Sequence, residues 1–319
     1  MIALVFFAAS SPFGEAAVVS LCSGVSLIDS MAQVGHRERE RERESDQLSI
    51  SLIAGDEGVK AAFWRPAHLP RSAWLEHIPF AFWIVSQIKP GTIVELGTHF
   101  GASYFAFCQA VESLSLDTRC YAVDTWKGDE HAGFYGGGVF DYVNAYNNAQ
   151  YSRFSSLIRA SFSDTASYFE DGSVDLLHVD GLHTEAAVRS DVETWLPKLS
   201  RRGVMLLHDV NVRERDFGVA AVLKQLRVQY PVFEFLHGHG LGVVGVGDEL
   251  SAGVSNFLKA NGDATARRDI TNFFARLGRA CYDAQVVGRI EQDRSKTLAA
   301  GTKMRRAVPT KLLKSESEK

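Results

Sequence analysis

Two apolar stretches of the chain end in clusters of Asp and His, residue types that move protons and bind metal ions. The first stretch, DLLHVDGLH, ends with Asp180 and His183. The second stretch, MLLHDVNV, contains His208 and Asp209. If the two stretches are neighbouring strands, about 4.8 Å apart, their polar ends face a common point. The sequence therefore predicts one reaction site built from two strand ends.

Short apolar strands alternate with helices through the middle of the chain, and these elements must position the two clusters. The first five predicted strands are TIVELG, RCYAVD, SSLIRA, SVDLLHVD and GVMLLHD. Such alternation predicts a parallel sheet with helices on both faces. The last two predicted strands, VFEFLH and LGVVGV, are joined by too few residues for a parallel crossover. We therefore expect an α/β fold with six strands in one direction and a reversed final strand.

The turn after the first predicted strand, VELGTHFGAS, is rich in glycine. Gly97 and Gly101 let a ligand approach the backbone, and the following helix offers free N–H groups. Their spacing lacks the middle glycine of the GxGxxG turn that binds a dinucleotide. Asp124 ends the second strand, where a carboxylate can bind ribose hydroxyls, although Asp is also a common turn residue. Together with the reversed last strand, these features favour S-adenosylmethionine over NAD.

Four stretches carry a resemblance to a known family: VELGTHFGASY, YAVDTWKGDEHAGFYG, DLLHVDGLHTEAAVRSDVETWLPKLSRRGVMLLHDVNVRERDFGV and FEFLHGHGLGVVGVG. Over residues 60–247 the chain resembles class I S-adenosylmethionine-dependent methyltransferases. It is most similar to the glycosyltransferase-associated group, which is related to rhamnosyl O-methyltransferase and cephalosporin hydroxylase-like enzymes. The resemblance implies a Rossmann-like, seven-stranded sheet with an antiparallel last strand and helices on both faces.

The resemblance also assigns roles to residues at the strand ends. It places the methionine part of the cofactor at the turn after the first strand, which contains Glu95, Gly97, Thr98 and Gly101. It places the ribose at Asp124, at the end of the second strand, and the adenine edge at Ser161 and Phe162, after the third. Metal-dependent relatives hold a divalent cation (Mg²⁺ or Mn²⁺) at positions that match Asp180, His208 and Asp209. His208 stands where relatives often carry a carboxylate, and imidazole is a less usual magnesium ligand. The three side chains could instead orient the acceptor.

His183 follows Asp180 by three residues, at the start of a predicted helix. Methyl transfer to a hydroxyl is faster if the proton leaves as the bond forms, and histidine suits that task near neutral pH. We therefore predict that His183 is the general base and that Asp180 acts with it. The alternative is a helix-capping role for His183. The loop TWKGDEHAGFYGGG, with Trp126, Phe134 and Tyr135, has the composition of a mobile lid over the acceptor.

Composition narrows the class of protein. The net charge is -4 and the pI is about 6.2, which gives no general reason to bind nucleic acid. The four cysteines form no CxxC pair, which favours a reducing, cytoplasmic location. The apolar N-terminus lacks the basic residues of a signal peptide, and no apolar run reaches the roughly 18 residues of a membrane span.

We predict four segments: an N-terminal extension at 1–55, the methyltransferase domain at 56–250, a helical appendage at 251–300 and a basic, disordered tail at 301–319. A helix over 266–282 has an apolar face that either packs on the domain or contacts a second subunit or a glycosyltransferase.

The sequence thus predicts an O-methyltransferase that uses S-adenosylmethionine and acts on a sugar hydroxyl of a glycan or a glycosylated metabolite. One alternative is a non-catalytic protein with the same fold that docks on a glycosyltransferase. The other is an oxidoreductase that uses NAD or a nucleotide sugar, but its GxGxxG turn and Tyr–Lys helix are missing.

Overall fold

A computed structural model describes residues 56–307 of the chain, apart from residues 132 and 215. The main-sheet strands are β1 Thr92–Leu96, β2 Arg119–Val123, β5 Ser155–Ile158, β6 Val174–Val179, β7 Leu199–His208, β8 Val232–Phe235 and β9 Leu241–Gly245. A small hairpin is formed by β3 Gly128–Asp129 and β4 Gly133–Phe134. The main sheet has seven strands in the order β5-β2-β1-β6-β7-β9-β8.

The direction of the strands agrees with the prediction. β5, β2, β1, β6 and β7 pair in parallel, whereas β9 pairs antiparallel with both β7 and β8. β8 therefore runs with the first five strands, and β9 is reversed within the sheet. The predicted α/β fold with a seven-stranded sheet and a reversed last strand is confirmed. β6 is buried at every position, as expected for a central parallel strand that is covered on both faces.

Nine helices surround the sheet within the described part of the chain: α1 Asp56–Ala62, α2 Ile78–Ile88, α3 Ala102–Ser113, α4 Gly138–Gln150, α5 Phe162–Ala166, α6 Glu185–Trp195, α7 Val219–Leu226, α8 Ala252–Lys259 and α9 Ala264–Ala307. A short 3₁₀ turn, Ala73–His77, precedes α2. One apolar core joins α2, α3, α8 and the start of α9 to one face of the sheet. A second core joins α5, α6 and α7 to the other face.

The C-terminal helix packs on the domain through the face predicted for residues 266–282. Ile270 and Phe274 are fully buried, and the Phe274 ring contacts the Phe80 ring of α2 in an edge-to-face arrangement. Gly278 lies against the backbone of Glu76, where a Cβ atom would be 1.9 Å from the carbonyl oxygen. The apolar face is therefore covered by its own domain rather than by a second subunit.

One boundary differs from the predicted segments. α9 continues to Ala307 and so includes residues 301–307, which were predicted to be disordered. Alanine, lysine and arginine in this stretch favour a helix, which explains the longer element. The predicted extension at 1–55 and residues 308–319 lie outside the described residues. Among the helices that the structure describes, none is both long enough and apolar enough to cross a membrane.

Candidate functional site

A cavity of about 520 Å³ lies at the carboxyl edge of the parallel strands. The residues that follow β1, β2, β6 and β7 contribute to its wall, as do the β3–β4 hairpin and the β8–β9 loop. Ligands gather at this edge of open α/β sheets. Of the predicted site residues, those that line the cavity are Gly97, Thr98, Asp124, Ser161, Phe162, Asp180, His183, His208 and Asp209.

Asp124 organises the turn between β1 and α3. Its Oδ2 atom accepts hydrogen bonds from the backbone N–H groups of Thr98 and His99, at 2.9 and 3.0 Å. Its Oδ1 atom accepts one from the backbone N–H of Trp126, at 2.7 Å. A carboxylate has about four acceptor positions, so at least one remains for a ligand hydroxyl. Asp124 therefore holds the turn in place as well as lining the cavity.

The two glycines of this turn are required by close contacts. Gly97 has φ +89°, and a Cβ atom would lie 2.1 Å from the backbone oxygen of Asp180. Gly101 has φ +76°, precedes α3, and its Cβ would touch the Phe105 ring. Both φ values lie in the left-handed region that favours glycine. The hydroxyl of Thr98 is buried and has no hydrogen-bond partner among the described residues, so it is available to a ligand that enters here.

Glu95 is placed differently from the prediction that it contacts the cofactor. It is fully buried and is absent from the cavity wall. Trp74 Nε1 donates to Nε2 of His178, so the proton of a neutral His178 is on Nδ1 and is donated to Glu95 Oε2, at 2.8 Å. Side chains alternate between the two faces along a strand, and that of Glu95 points into the core on one face of the sheet. Its partner shows that it supports the core, and both ring nitrogens of His178 have hydrogen-bond partners there.

The predicted adenine region lies where α5 begins. Ser161 caps α5 by accepting from the backbone N–H of Asp164. The Phe162 ring packs against Gly181, where a Cβ atom would be 2.4 Å from the ring. Trp195 Nε1 donates to the carbonyl of Phe162, at 3.1 Å, and so joins α6 to this segment. The result is a flat aromatic surface on the cavity wall, with polar groups beside it.

The ends of β6 and β7 bring the predicted catalytic residues together. His183 Nε2 lies 2.8 Å from Asp209 Oδ2 and 3.4 Å from Asp180 Oδ1. His208 Nδ1 lies 3.1 Å from Asp180 Oδ1. The convergence of Asp180 and Asp209 that was predicted from the strand pairing is confirmed. All four side chains are largely buried, so their mutual electrostatic interactions are weakly screened.

Hydrogen bonding assigns a positive charge to His208. Its Nε2 atom is 3.0 Å from the carbonyl oxygen of Gly238, which can only accept, so Nε2 carries a proton. Its Nδ1 atom faces Asp180 Oδ1 and needs a second proton. Burial opposes this charge, but Asp180 and Asp209 outweigh it and raise the pKa of His208 well above its usual range. His208 is therefore the positive partner that two facing carboxylates require.

His183 also carries a proton on Nε2. Burial opposes its charge, but hydrogen bonds to Asp180 and Asp209 raise its pKa to about 9. Its Nδ1 atom is buried and has no partner among the described residues. Nε2 consequently donates to Asp209, and it can accept a proton only after its own has been released.

Three cavity residues were not predicted from the sequence. His239 has φ +67°, and its Nδ1 lies 3.0 Å from Asp209 Oδ1. His131 and Phe217 pack near His183, and the Phe217 ring is parallel to the His183 ring within 3°, with centroids 4.6 Å apart. The Gly- and His-rich connection between the last two strands was the only sequence signal for His239. Nothing in the sequence indicated the other two contacts.

The predicted lid residues have separate environments. Trp126 is buried, and its indole N–H donates to the carbonyl of His99. Phe134 is 79% exposed. Tyr135 lines the cavity and stacks on His99, with ring centroids 4.8 Å apart. Of the three predicted lid aromatics, Tyr135 alone faces the cavity.

The donor set is compatible with a divalent cation. One ligand atom from each of Asp180, His183 and Asp209 lies within 4.8 Å of the others. Neighbouring ligands of an octahedral cation, each at about 2.1 Å, are roughly 3 Å apart. Nε2 of His183 lies 2.8 Å from Asp209 Oδ2 and 3.4 Å from Asp180 Oδ1. The geometry thus offers His183 in the place predicted for His208, whose two ring nitrogens face Asp180 and the carbonyl of Gly238. Two carboxylates and one imidazole suit Mn²⁺ and, less commonly, Mg²⁺.

The central part of the chain is similar to known proteins. A family model described as a methyltransferase domain matches residues 94–210. The uncharacterized protein y4gI of Sinorhizobium fredii is 48% identical over 209 residues, which make up 66% of this chain and 23% of that protein. The chain therefore spans about a quarter of the length of this relative.

Several solved structures are similar at low sequence identity. The SAH-bound methyltransferase PaMTH1 of Podospora anserina is 17% identical, with a TM-score of 0.42 that covers 63% of this chain and 94% of that one. The O-methyltransferase TomG of Streptomyces achromogenes, in complex with SAM, is 15% identical, with a TM-score of 0.42 over 66% of this chain and 99% of that one. The strand order of the chain itself defines its fold.

Proposed function

Residues 94–210 match a family model described as a methyltransferase domain, and we propose that the chain transfers the methyl group of S-adenosylmethionine to a hydroxyl oxygen. The acceptor is a sugar hydroxyl of a glycan or of a glycosylated metabolite. The observation that carries this proposal is that one cavity joins the turn held by Asp124 to the cluster of Asp180, His183 and Asp209. A methyl donor and a group that handles the acceptor's proton must share a cavity.

The cofactor is bound at the end of the cavity near β1 and β2. The free N–H groups at the start of α3 favour the carboxylate of its methionine part. Asp124 accepts from a ribose hydroxyl through the position that its backbone hydrogen bonds leave open. Phe162 supplies the aromatic surface for the adenine ring. The acidic residues on the cavity wall also favour the positive charge of the sulfonium.

Proton transfer takes place at the other end of the cavity. Two carboxylates and the cation of His208 leave one net negative charge, which holds the proton on His183 Nε2. His183 serves as the general base once that charge is compensated and the proton is released. A divalent cation held by the carboxylates of Asp180 and Asp209 would supply positive charge that favours the deprotonated acceptor. In this role Nε2 of His183 stays off the cation, because a metal-bound nitrogen could not accept a proton.

The choice of a sugar rests on the side chains around this cluster. Phe217 brings an apolar ring to the cavity wall, and Asp180, with 20% of its side chain exposed, offers carboxylate oxygens. Sugars combine apolar C–H faces with hydroxyl donors, and both kinds of group find partners here. Association with a glycosyltransferase is part of this proposal, since the chain resembles methyltransferases that are associated with glycosyltransferases.

Isothermal titration calorimetry with S-adenosylhomocysteine and with NAD tests the cofactor assignment. We expect binding of the first compound and none of the second. Incubation with methyl-labelled S-adenosylmethionine and glycan precursors, followed by mass spectrometry, tests the acceptor. Binding of NAD alone would instead support an oxidoreductase. Cofactor binding without methyl transfer to any sugar would overturn the choice of acceptor.

A further inference from the structure

Asp191 is a carboxylate on the cavity wall that the proposed chemistry does not use. It lies on α6, on the same helix face as Trp195, which is bound to the carbonyl of Phe162. Its side chain faces the same cavity as Ser163 and Ser190. These groups form the part of the cavity between the start of α5 and α6, called here the α5–α6 end.

Asp191 has no partner in the described part of the chain. It makes no hydrogen bond or ion pair with any described residue, and burial alone raises its pKa to about 6. A half-buried carboxylate without a donor is unfavourable. A ligand that brings an N–H donor to the α5–α6 end would give the Asp191 carboxylate a hydrogen bond, and a hydrogen bond to a charged acceptor is among the stronger ones.

The proposed cofactor has one such donor at its far end. The sulfonium of S-adenosylmethionine must approach the cluster at Asp180 and His183, and the ribose lies near Asp124. The adenine then reaches the flat surface of Phe162, and its exocyclic amine extends beyond the ring. The α5–α6 end is the part of the cavity that remains for this amine.

We infer that Asp191 accepts a hydrogen bond from the exocyclic amine of adenine and thereby selects an adenine cofactor over one with a 6-oxo purine. The inference rests on the proposed function, because it requires that the cavity bind S-adenosylmethionine. A 6-oxo purine presents a carbonyl at the same place, and two facing acceptors repel each other.

Calorimetry on the full chain, with S-adenosylhomocysteine and S-inosylhomocysteine as probes, tests the inference. These compounds differ at the purine 6-position. The wild type should bind the adenosyl compound more tightly than the inosyl one. Asp191→Asn should lower the affinity for the adenosyl compound by roughly tenfold to a hundredfold, since one charged hydrogen bond is lost. The affinity for the inosyl compound should not fall, because an asparagine amide can donate to a 6-oxo group.

Glu193→Gln is the matched control, since Glu193 is an exposed acid on the same helix and is absent from this cavity wall. It should leave both affinities unchanged. If the wild type binds S-adenosylhomocysteine and Asp191→Asn keeps the wild-type preference between the two probes, the inference is wrong and the proposed function stands. If the wild type binds neither probe, the proposed function fails and the inference fails with it.

Discussion

Nε2 of His183 lies 2.8 Å from Oδ2 of Asp209. This contact places the proton of the predicted general base between an imidazole and a buried carboxylate. The pair is stable as it stands, with the pKa of His183 raised to about 9 and that of Asp209 lowered far below its usual range. Catalysis by His183 at neutral pH therefore requires additional positive charge.

Chelation should abolish methyl transfer for this reason. Without a cation, the one net negative charge of Asp180, Asp209 and protonated His208 keeps His183 protonated as well. We expect activity to be lost after EDTA treatment and to return with Mn²⁺ or Mg²⁺, as followed by labelled methyl transfer. Asp209→Asn should raise the cation concentration that is needed, because a charged ligand is removed. Full activity in a protein shown to be metal-free by elemental analysis would leave His208 as the only counter-charge.

Replacement of His183 separates proton transfer from cofactor binding. His183→Ala should reduce turnover by about a hundredfold or more, the usual contribution of a positioned general base. The affinity for S-adenosylhomocysteine should stay within about twofold, since other residues bind the cofactor. Parallel loss of affinity and turnover would show that His183 is a binding group. Kinetics and calorimetry on the same preparation give both values.

Asp124→Ala should weaken cofactor binding by about 1.5–3 kcal/mol, the scale of a hydrogen bond to a charged group. The variant also leaves three backbone N–H groups without their acceptor, so the turn after β1 should become more mobile. Hydrogen exchange at residues 97–101 measures this second effect. Asp171→Ala, at an exposed acid that is not part of the cavity wall, is the control and should change neither property.

Gly97→Ala should disrupt the site through its backbone. The new Cβ would lie 2.1 Å from the Asp180 carbonyl, so β1 and β6 must separate and carry Asp180 with them. Gly133→Ala is a matched control, since it has a similar φ of +83° but no atom within 4 Å. The control should cost about 1 kcal/mol, and Gly97→Ala several times more, in chemical denaturation. Equal losses would show that backbone conformation alone requires glycine at position 97.

Asp191 should make stability depend on pH. Its pKa in the folded protein is about 6 against an ordinary value of 3.8, so the folded state binds a proton more tightly than the unfolded state. Stability is therefore lost as pH rises from roughly 4 to 6. Asp191→Asn should be more stable than the wild type at pH 7 and above, by less than about 3 kcal/mol because solvent screens the half-buried group. The difference should vanish near pH 4 in thermal denaturation curves.

The fold could be predicted because its signals are local. Alternating strands and helices specify a parallel sheet, and the short connection before Leu241 can join only antiparallel neighbours. The same pattern fixed which strand ends would meet, so Asp180 and Asp209 could be placed together. The end of α9 was harder to predict, because helix ends carry weak signals in a polar stretch.

The hydrogen-bond partners within the site could not be predicted in the same way. The contact between His239 and Asp209 depends on a loop residue with positive φ, and that of Glu95 with His178 depends on which face of each strand turns inward. The proton on Nε2 of His208 follows from the carbonyl of Gly238, which is about thirty residues away in the chain. Such details arise from tertiary packing, which residue types and spacing do not encode.

The proposed reaction is methyl transfer to oxygen, and the position of the transferred methyl group tests it. The purified chain, loaded with Mn²⁺, is incubated with methyl-labelled S-adenosylmethionine and a set of sugar acceptors, and fragmentation mass spectrometry locates the label. We expect a label on a sugar oxygen, with at least about a hundredfold less label for His183→Ala. A label on nitrogen or carbon, or equal labelling by the wild type and His183→Ala, would contradict it.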